Sequence, residues 1–125
     1  GGGVDPLPAG RRAAPLSTLL ALERTIAARK ASPPAPGSAP SWTARLLADP
    51  ALAGAKVREE AGELADAVAG AEGAARVASE AADLLYHALA LLATAGVTLA
   101  DVAAVLRARE GVSGVTEKAA RAAKA

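Results

Sequence analysis

The carboxylates of this chain recur at helical spacing, and that recurrence limits the folds open to it. In KVREEAGE, residues 56–63, and in EAAD, residues 80–83, the acids lie one, three or four residues apart. Residues three and four apart share one face of an α-helix. Glu59, Glu60 and Glu63 therefore project from one side of one helix, and Glu80 and Asp83 from one side of the next. If the two helices pack antiparallel, up to five carboxylates converge on a small volume. A charge withdrawn from water without a counter-ion costs several kcal/mol, so these groups either diverge into solvent or hold a cation. Oxygen ligands in a chain with no cysteine and one histidine favour Mg²⁺ or Mn²⁺ over zinc.

A run such as EExxE is more often a solvated helix face, and two features argue against that here. Between Ala81 and Ala95 the titratable side chains are Asp83, Tyr86 and His87, while Leu84, Leu85, Leu89, Leu91 and Leu92 cover more than one face. A helix that is apolar nearly all round is buried, which places Asp83 at the edge of a core, where an unpaired charge is costly. Arg76, Glu80, Asp83 and His87 also form one stripe at i, i+4, i+7 and i+11. His87 in that stripe reads either as a base or as a core histidine bonded to a carbonyl or carboxylate, and the second reading is preferred.

The remaining elements are all helical. Residues 1–14 carry Gly and Pro without periodicity and read as a flexible leader or linker. Pro15 opens a first helix ending near Arg29-Lys30-Ala31, with Leu16, Leu19, Leu20, Glu23, Ile26 and Ala27 as its buried stripe. Pro33, Pro34, Pro36 and Pro40 forbid helix in 32–40, a segment that is either a plain connector or a flap with phosphate-binding groups at its edges. Ser41 caps a short helix from Trp42 to Ala48, and Trp42 either packs on the main helices or lies beside a base. Asp49-Pro50 starts the next helix, which stops at Gly70 with Val57, Ala61, Leu64 and Val68 as its core face. The second acidic helix spans about Ala74 to Ala95 with Gly96 as its C-terminal stop, and Thr98-Leu99-Ala100-Asp101 resembles a capping box. That box opens a last helix to about Glu110, with Leu99, Val102, Val105 and Leu106 facing inward. Residues 111–125 form a basic tail or a short helix.

The expected fold is thus all-α, an antiparallel bundle of four to five helices over residues 15–110. Composition bears on its stability. Ala supplies 37 of the 125 residues, and Leu, Val and Ile together supply 26. Alanine is the best helix former but buries little area, so the thin core calls for helices from a second subunit. A net charge of +1 argues against a general nucleic-acid or membrane binder, and no apolar run approaches the roughly 20 residues of a membrane span.

Three segments, SWTARLL at 41–47, KVREEAGEL at 56–64 and EAADLLYHALALL at 80–92, closely resemble phosphoribosyl-ATP pyrophosphohydrolase. That family is similar in turn to the MazG-like all-α NTP pyrophosphohydrolases, with EExxE followed by ExxD. The resemblance covers about residues 16–110. It implies Mg²⁺-dependent hydrolysis of phosphoribosyl-ATP to phosphoribosyl-AMP and pyrophosphate, the second step of histidine biosynthesis, with Mn²⁺ as a substitute ion. Glu59, Glu60, Glu63, Glu80 and Asp83 match the catalytic acids, of which Glu60, Glu63, Glu80 and Asp83 match metal ligands. Glu59 matches either a further ligand or the residue that orients water. Arg29, Lys30, Arg45 and Lys56 match basic positions suited to substrate phosphate, and Trp42 stands where many relatives have Tyr. The resemblance further implies a homodimer, a cytoplasmic location, and fusion to or cooperation with a phosphoribosyl-AMP cyclohydrolase domain. Two alternatives stay open: a house-cleaning (d)NTP pyrophosphohydrolase, and a non-catalytic helical dimerisation module. The SWTARLL segment, which the superfamily pattern does not require, separates the first from the histidine-pathway reading.

Overall fold

A computed structural model describes residues 14–110 and contains five helices there: α1 (Pro15–Ala31), α2 (Trp42–Ala48), α3 (Pro50–Ala69), α4 (Ala74–Thr94) and α5 (Leu99–Arg109). The expected leader at 1–14, apart from Ala14, and the basic tail at 111–125 lie outside the described residues.

Local chemistry accounts for the boundaries. Ser41 accepts a hydrogen bond from the Ala44 amide, and Asp49 accepts one from the Leu52 amide, so each occupies one of the orphan donors of a helix start. Thr98 and Asp101 form a reciprocal capping box at the start of α5. Gly73 (φ 98°) and Gly96 (φ 70°) adopt left-handed backbone where the chain enters and leaves α4, a conformation open to glycine at little steric cost. Ser38 closes a turn on Ala35 inside the proline-rich connector, with Gly37 at φ 82°.

The four-residue link from α3 to α4 folds them into an antiparallel hairpin, the most extensive helix pair among the described residues. The short helix α2 lies across both, and α1 packs on α4 and α2. Leu46 of α2, Ala53 of α3 and Ala90 of α4 are fully buried and meet at the centre, with Leu52, Tyr86 and Leu91 packed around them. Alanine at two of these three positions lets the helix backbones approach closely. Helix α1 also pins the corner between α4 and α5. Its Glu23 accepts the Leu99 amide at the N-terminus of α5 (2.7 Å), and Lys30 donates to the Ala93 carbonyl at the end of α4 (2.6 Å). An acid at a helix start and a base at a helix end both suit the helix dipole.

Four expected core faces are corrected. On α3 the buried positions are Ala53, Glu60 and Ala67, whereas Ala61 and Val68 face outward and Val68 is 60% exposed. On α4, Leu85 is 48% exposed and Asp83 is exposed rather than held at a core edge. The apolar pattern was wider than one neighbour could cover: α3 and α4 bury one face against each other and leave a second face uncovered. In α5, Val105 and Leu106 are likewise exposed although Leu99 and Val102 are half-buried. Leu16 and Leu20 of α1 are also exposed, on the rim of an apolar groove of about 380 Å³ between α1 and α5. Among the described residues no single helix is long and apolar enough to cross a membrane.

Candidate active site

The antiparallel hairpin sets the acidic segments of α3 and α4 side by side. Glu60, Glu63 and Glu80 each offer a carboxylate oxygen within 4.8 Å of the others. Glu60 and Glu80 are buried, at 6% and 4% exposure, while Glu63 stands at the open side. Each buried carboxylate has one oxygen in an ion pair. Lys56 approaches Glu60 Oε1 at 3.5 Å, and Arg76 approaches Glu80 Oε1 at 2.9 Å. The other oxygens, Glu60 Oε2 and Glu80 Oε2, are buried and have no hydrogen-bond partner among the described residues.

An unpaired buried acceptor costs roughly 1–3 kcal/mol, and more when charged. Two of them beside a third carboxylate amount to an electrostatic debt that a divalent cation cancels. Glu63 registers the same crowding. Its carboxyl is held above the usual glutamate range, first by the hydrogen bond and charge of Glu60, then by partial desolvation and by Glu80. The donor set is all oxygen, which fits a hard cation such as Mg²⁺ or Mn²⁺.

Of the five acids singled out in the sequence, three therefore converge. Glu59 turns toward Lys56, which it meets at 3.0 Å on the exposed side of α3. The two carboxylates raise the Lys56 ammonium, with the Glu59 hydrogen bond as the largest cause. Asp83 lies one turn beyond Glu80 and outside the three-residue cluster.

The basic residues divide into two groups. Arg45 and Lys56 flank one indole, with the Arg45 guanidinium carbon 5.0 Å and the Lys56 ammonium 5.9 Å from the Trp42 ring centre. Arg29 and Lys30 instead line a depression of about 190 Å³ with Pro33, Pro34, Ala44, Leu47 and Ala48, and Lys30 is bonded to Ala93. Arg76 belonged to the polar stripe, and its ion pair to Glu80 follows from i,i+4 spacing.

His87 is buried and fully engaged. The Trp42 indole N–H donates to its Nε2 at 3.1 Å, and its Nδ1 lies 2.7 Å from the Asp83 carbonyl. An indole nitrogen only donates and a carbonyl only accepts, so Nδ1 carries the proton and Nε2 has none. The preferred reading of His87 as a carbonyl-bonded core histidine holds, and the imidazole has no free nitrogen to serve as a base. Beside it Tyr86 bonds the Thr43 hydroxyl, a second tie between α4 and α2. Neither tie was legible in the sequence, because nothing in residue spacing along α2 reveals which side chains of α4 lie opposite.

Comparison with known proteins places the chain in a family. The family profile described as phosphoribosyl-ATP pyrophosphohydrolase matches residues 19–110. The phosphoribosyl-ATP pyrophosphatase of Caulobacter vibrioides is 54% identical over 101 residues, covering 81% of this chain and 90% of the relative. That of Cereibacter sphaeroides is 51% identical over 108 residues, covering 85% and 99%. The histidine biosynthesis bifunctional protein hisIE, chloroplastic, of Arabidopsis thaliana is 48% identical over 104 residues, covering 82% of this chain but 37% of that longer protein. The matched span runs from α1 through α5 and contains all three converging carboxylates, and the chain belongs to the phosphoribosyl-ATP pyrophosphohydrolase family.

Proposed function

We propose that this protein hydrolyses phosphoribosyl-ATP to phosphoribosyl-AMP and pyrophosphate, using a divalent cation held by Glu60, Glu63 and Glu80. The observation that carries the reading is the pair of buried, unpartnered oxygens on Glu60 and Glu80 facing a third carboxylate. Family membership supports the choice of substrate. When bound, Mg²⁺ or Mn²⁺ supplies neutralisation of phosphate charge and a bound water of lowered pKa.

The chain's own residues do the rest. Glu60 and Glu80 are fixed by Lys56 and Arg76, so their free oxygens are aimed before any ligand arrives. Asp83, exposed beside the cluster, is assigned as a further ligand reached by a change of side-chain rotamer. Glu59, on the solvent side, is assigned the orientation of the attacking water. Arg45 and Lys56 bind phosphate oxygens as charge-assisted donors. Arg29 is assigned a secondary phosphate contact at the depression it lines, and Lys30 would join it by leaving the Ala93 carbonyl. Direct attack by water is assigned, since the chain has no cysteine and its one histidine, His87, has no free nitrogen with which to activate a hydroxyl.

Assembly belongs to the same reading. The uncovered faces of α3 and α4, with Val68 and Leu85 exposed, suit a second copy of the chain. The Arabidopsis relative is bifunctional, which supports cooperation with a phosphoribosyl-AMP cyclohydrolase. A cytoplasmic location is part of this proposal.

The test is pyrophosphate release from freshly generated phosphoribosyl-ATP, with ATP and dNTPs as controls. Mg²⁺-dependent release from phosphoribosyl-ATP alone is expected. Release from dNTPs alone would transfer the site to nucleotide house-cleaning. No release by folded protein from any of them would favour a non-catalytic helical module.

A further inference from the structure

Trp42 stands where α2, α3 and α4 meet. It begins α2, Arg45 follows one turn later on the same helix, Lys56 reaches it from α3, and His87 from α4. Trp42 is 37% exposed and carries two cations over its ring. Lys56 is balanced by Glu59 and Glu60, whereas Arg45 has no ion-pair partner among the described residues.

The orientation of that ring is fixed from beneath. Trp42 and Tyr86 both meet the His87 imidazole edge-on, at 74° and 80° with centres 6.2 and 5.0 Å away. The Asp83 carbonyl anchors Nδ1 and thereby directs Nε2 at the indole N–H. A continuous line of contacts runs from His87 to Trp42, from Trp42 to Lys56, and from Lys56 to Glu60 of the acidic cluster. Without an acceptor at Nε2 the indole N–H, left unpaired, would favour a different ring rotamer, and the ring's support for the two cations would be lost.

We propose that His87 is a positioning residue: through its hydrogen bond to Trp42 it holds Arg45 and Lys56 as a cationic shelf for the polyphosphate arm of the substrate. The proposal rests on the reading above that the substrate carries such an arm. His87 does not touch the reacting atoms and takes no part in proton transfer. Its contribution is to binding, so its loss raises KM more than it lowers kcat.

The experiment uses the full chain as wild type, His87→Leu, His87→Gln and Trp42→Phe. Each is measured for pyrophosphate affinity in Mg²⁺ by calorimetry, for kcat and KM on phosphoribosyl-ATP, and for helical circular dichroism. Losing one buried hydrogen bond predicts that His87→Leu and Trp42→Phe each weaken pyrophosphate binding and raise KM by about tenfold, with kcat within about twofold. Glutamine offers an oxygen that can accept the indole N–H, so His87→Gln is expected to keep KM and pyrophosphate affinity within about twofold of wild type. Should His87→Leu fail to fold, Trp42→Phe, which keeps an aromatic ring but removes the donor, gives the same readout. Unchanged KM and pyrophosphate affinity in folded His87→Leu or Trp42→Phe would overturn the proposal, as would a His87→Gln as impaired as His87→Leu. Wild type that binds pyrophosphate but does not turn over phosphoribosyl-ATP would sink the proposed reaction alone, and the affinities would still decide the role of His87. Wild type that binds no pyrophosphate would overturn the shelf itself.

Discussion

At the scale of single residues, the crowded carboxylates have a measurable consequence. Glu63 is held above its ordinary range by Glu60 and Glu80, so between its unfolded and folded pKa the native chain keeps a proton that the unfolded chain has lost. The stability of the metal-free protein therefore falls as pH rises through that interval, and a cation that takes the proton's place restores it. Binding of Mg²⁺ or Mn²⁺ should release protons and strengthen as pH rises through that interval. Calorimetry in two buffers of different ionisation enthalpy reads that release; identical heats in both would contradict it. The three residues of this cluster were legible from i,i+3 and i,i+4 spacing, but spacing defines a face without saying how far it is rotated. Glu59 and Glu60 are neighbours about 100° apart around α3, so only one of them could be buried toward α4. Glu60 took that place, and Glu59 was left to pair with Lys56 in solvent.

Among the elements, the boundaries could be read because each is marked by a residue with one local purpose: Ser41, Asp49, Thr98 and Asp101 at helix starts, Gly73 and Gly96 at left-handed turns. Contacts across the sequence were not readable in that way. Glu23 sat in the expected buried stripe of α1, yet its task is to receive the Leu99 amide 76 residues later. Losing this charge-assisted bond should cost about 1.5–3 kcal/mol, so Glu23→Ala is expected to lower the thermal midpoint while leaving kcat and KM unchanged. A drop in turnover without a drop in stability would contradict that assignment. Within α3, Gly54 lies in a helix interior, and a methyl group there would meet only the end of the Arg58 side chain at 3.8 Å. Gly54→Ala should raise stability by about 0.5–1 kcal/mol, read as a higher melting temperature.

Over the whole molecule, helical class followed from punctuation and composition, whereas the identity of the core face did not. Bulky positions such as Val68 and Leu85 drew the expectation inward, and the chain buries alanines and two glutamates there instead. A hydrophobic pattern records that a face is covered without recording whether the cover is the same chain or another. If a second copy covers α3 and α4, Val68→Glu should shift the sedimentation of a dimer to that of a monomer. A wild-type monomer at high concentration would contradict the dimer. Cation binding by carboxylates from these two helices is proposed to enable hydrolysis of phosphoribosyl-ATP. Its most direct test is Mg²⁺-dependent pyrophosphate release by wild type and by Glu63→Gln, with circular dichroism confirming the fold of both. Release by wild type is expected to vanish without Mg²⁺ and to fall by about 10³-fold or more in Glu63→Gln, the scale set by losing a group that stabilises transition-state charge. Equal Mg²⁺-dependent turnover in the folded variant would contradict it.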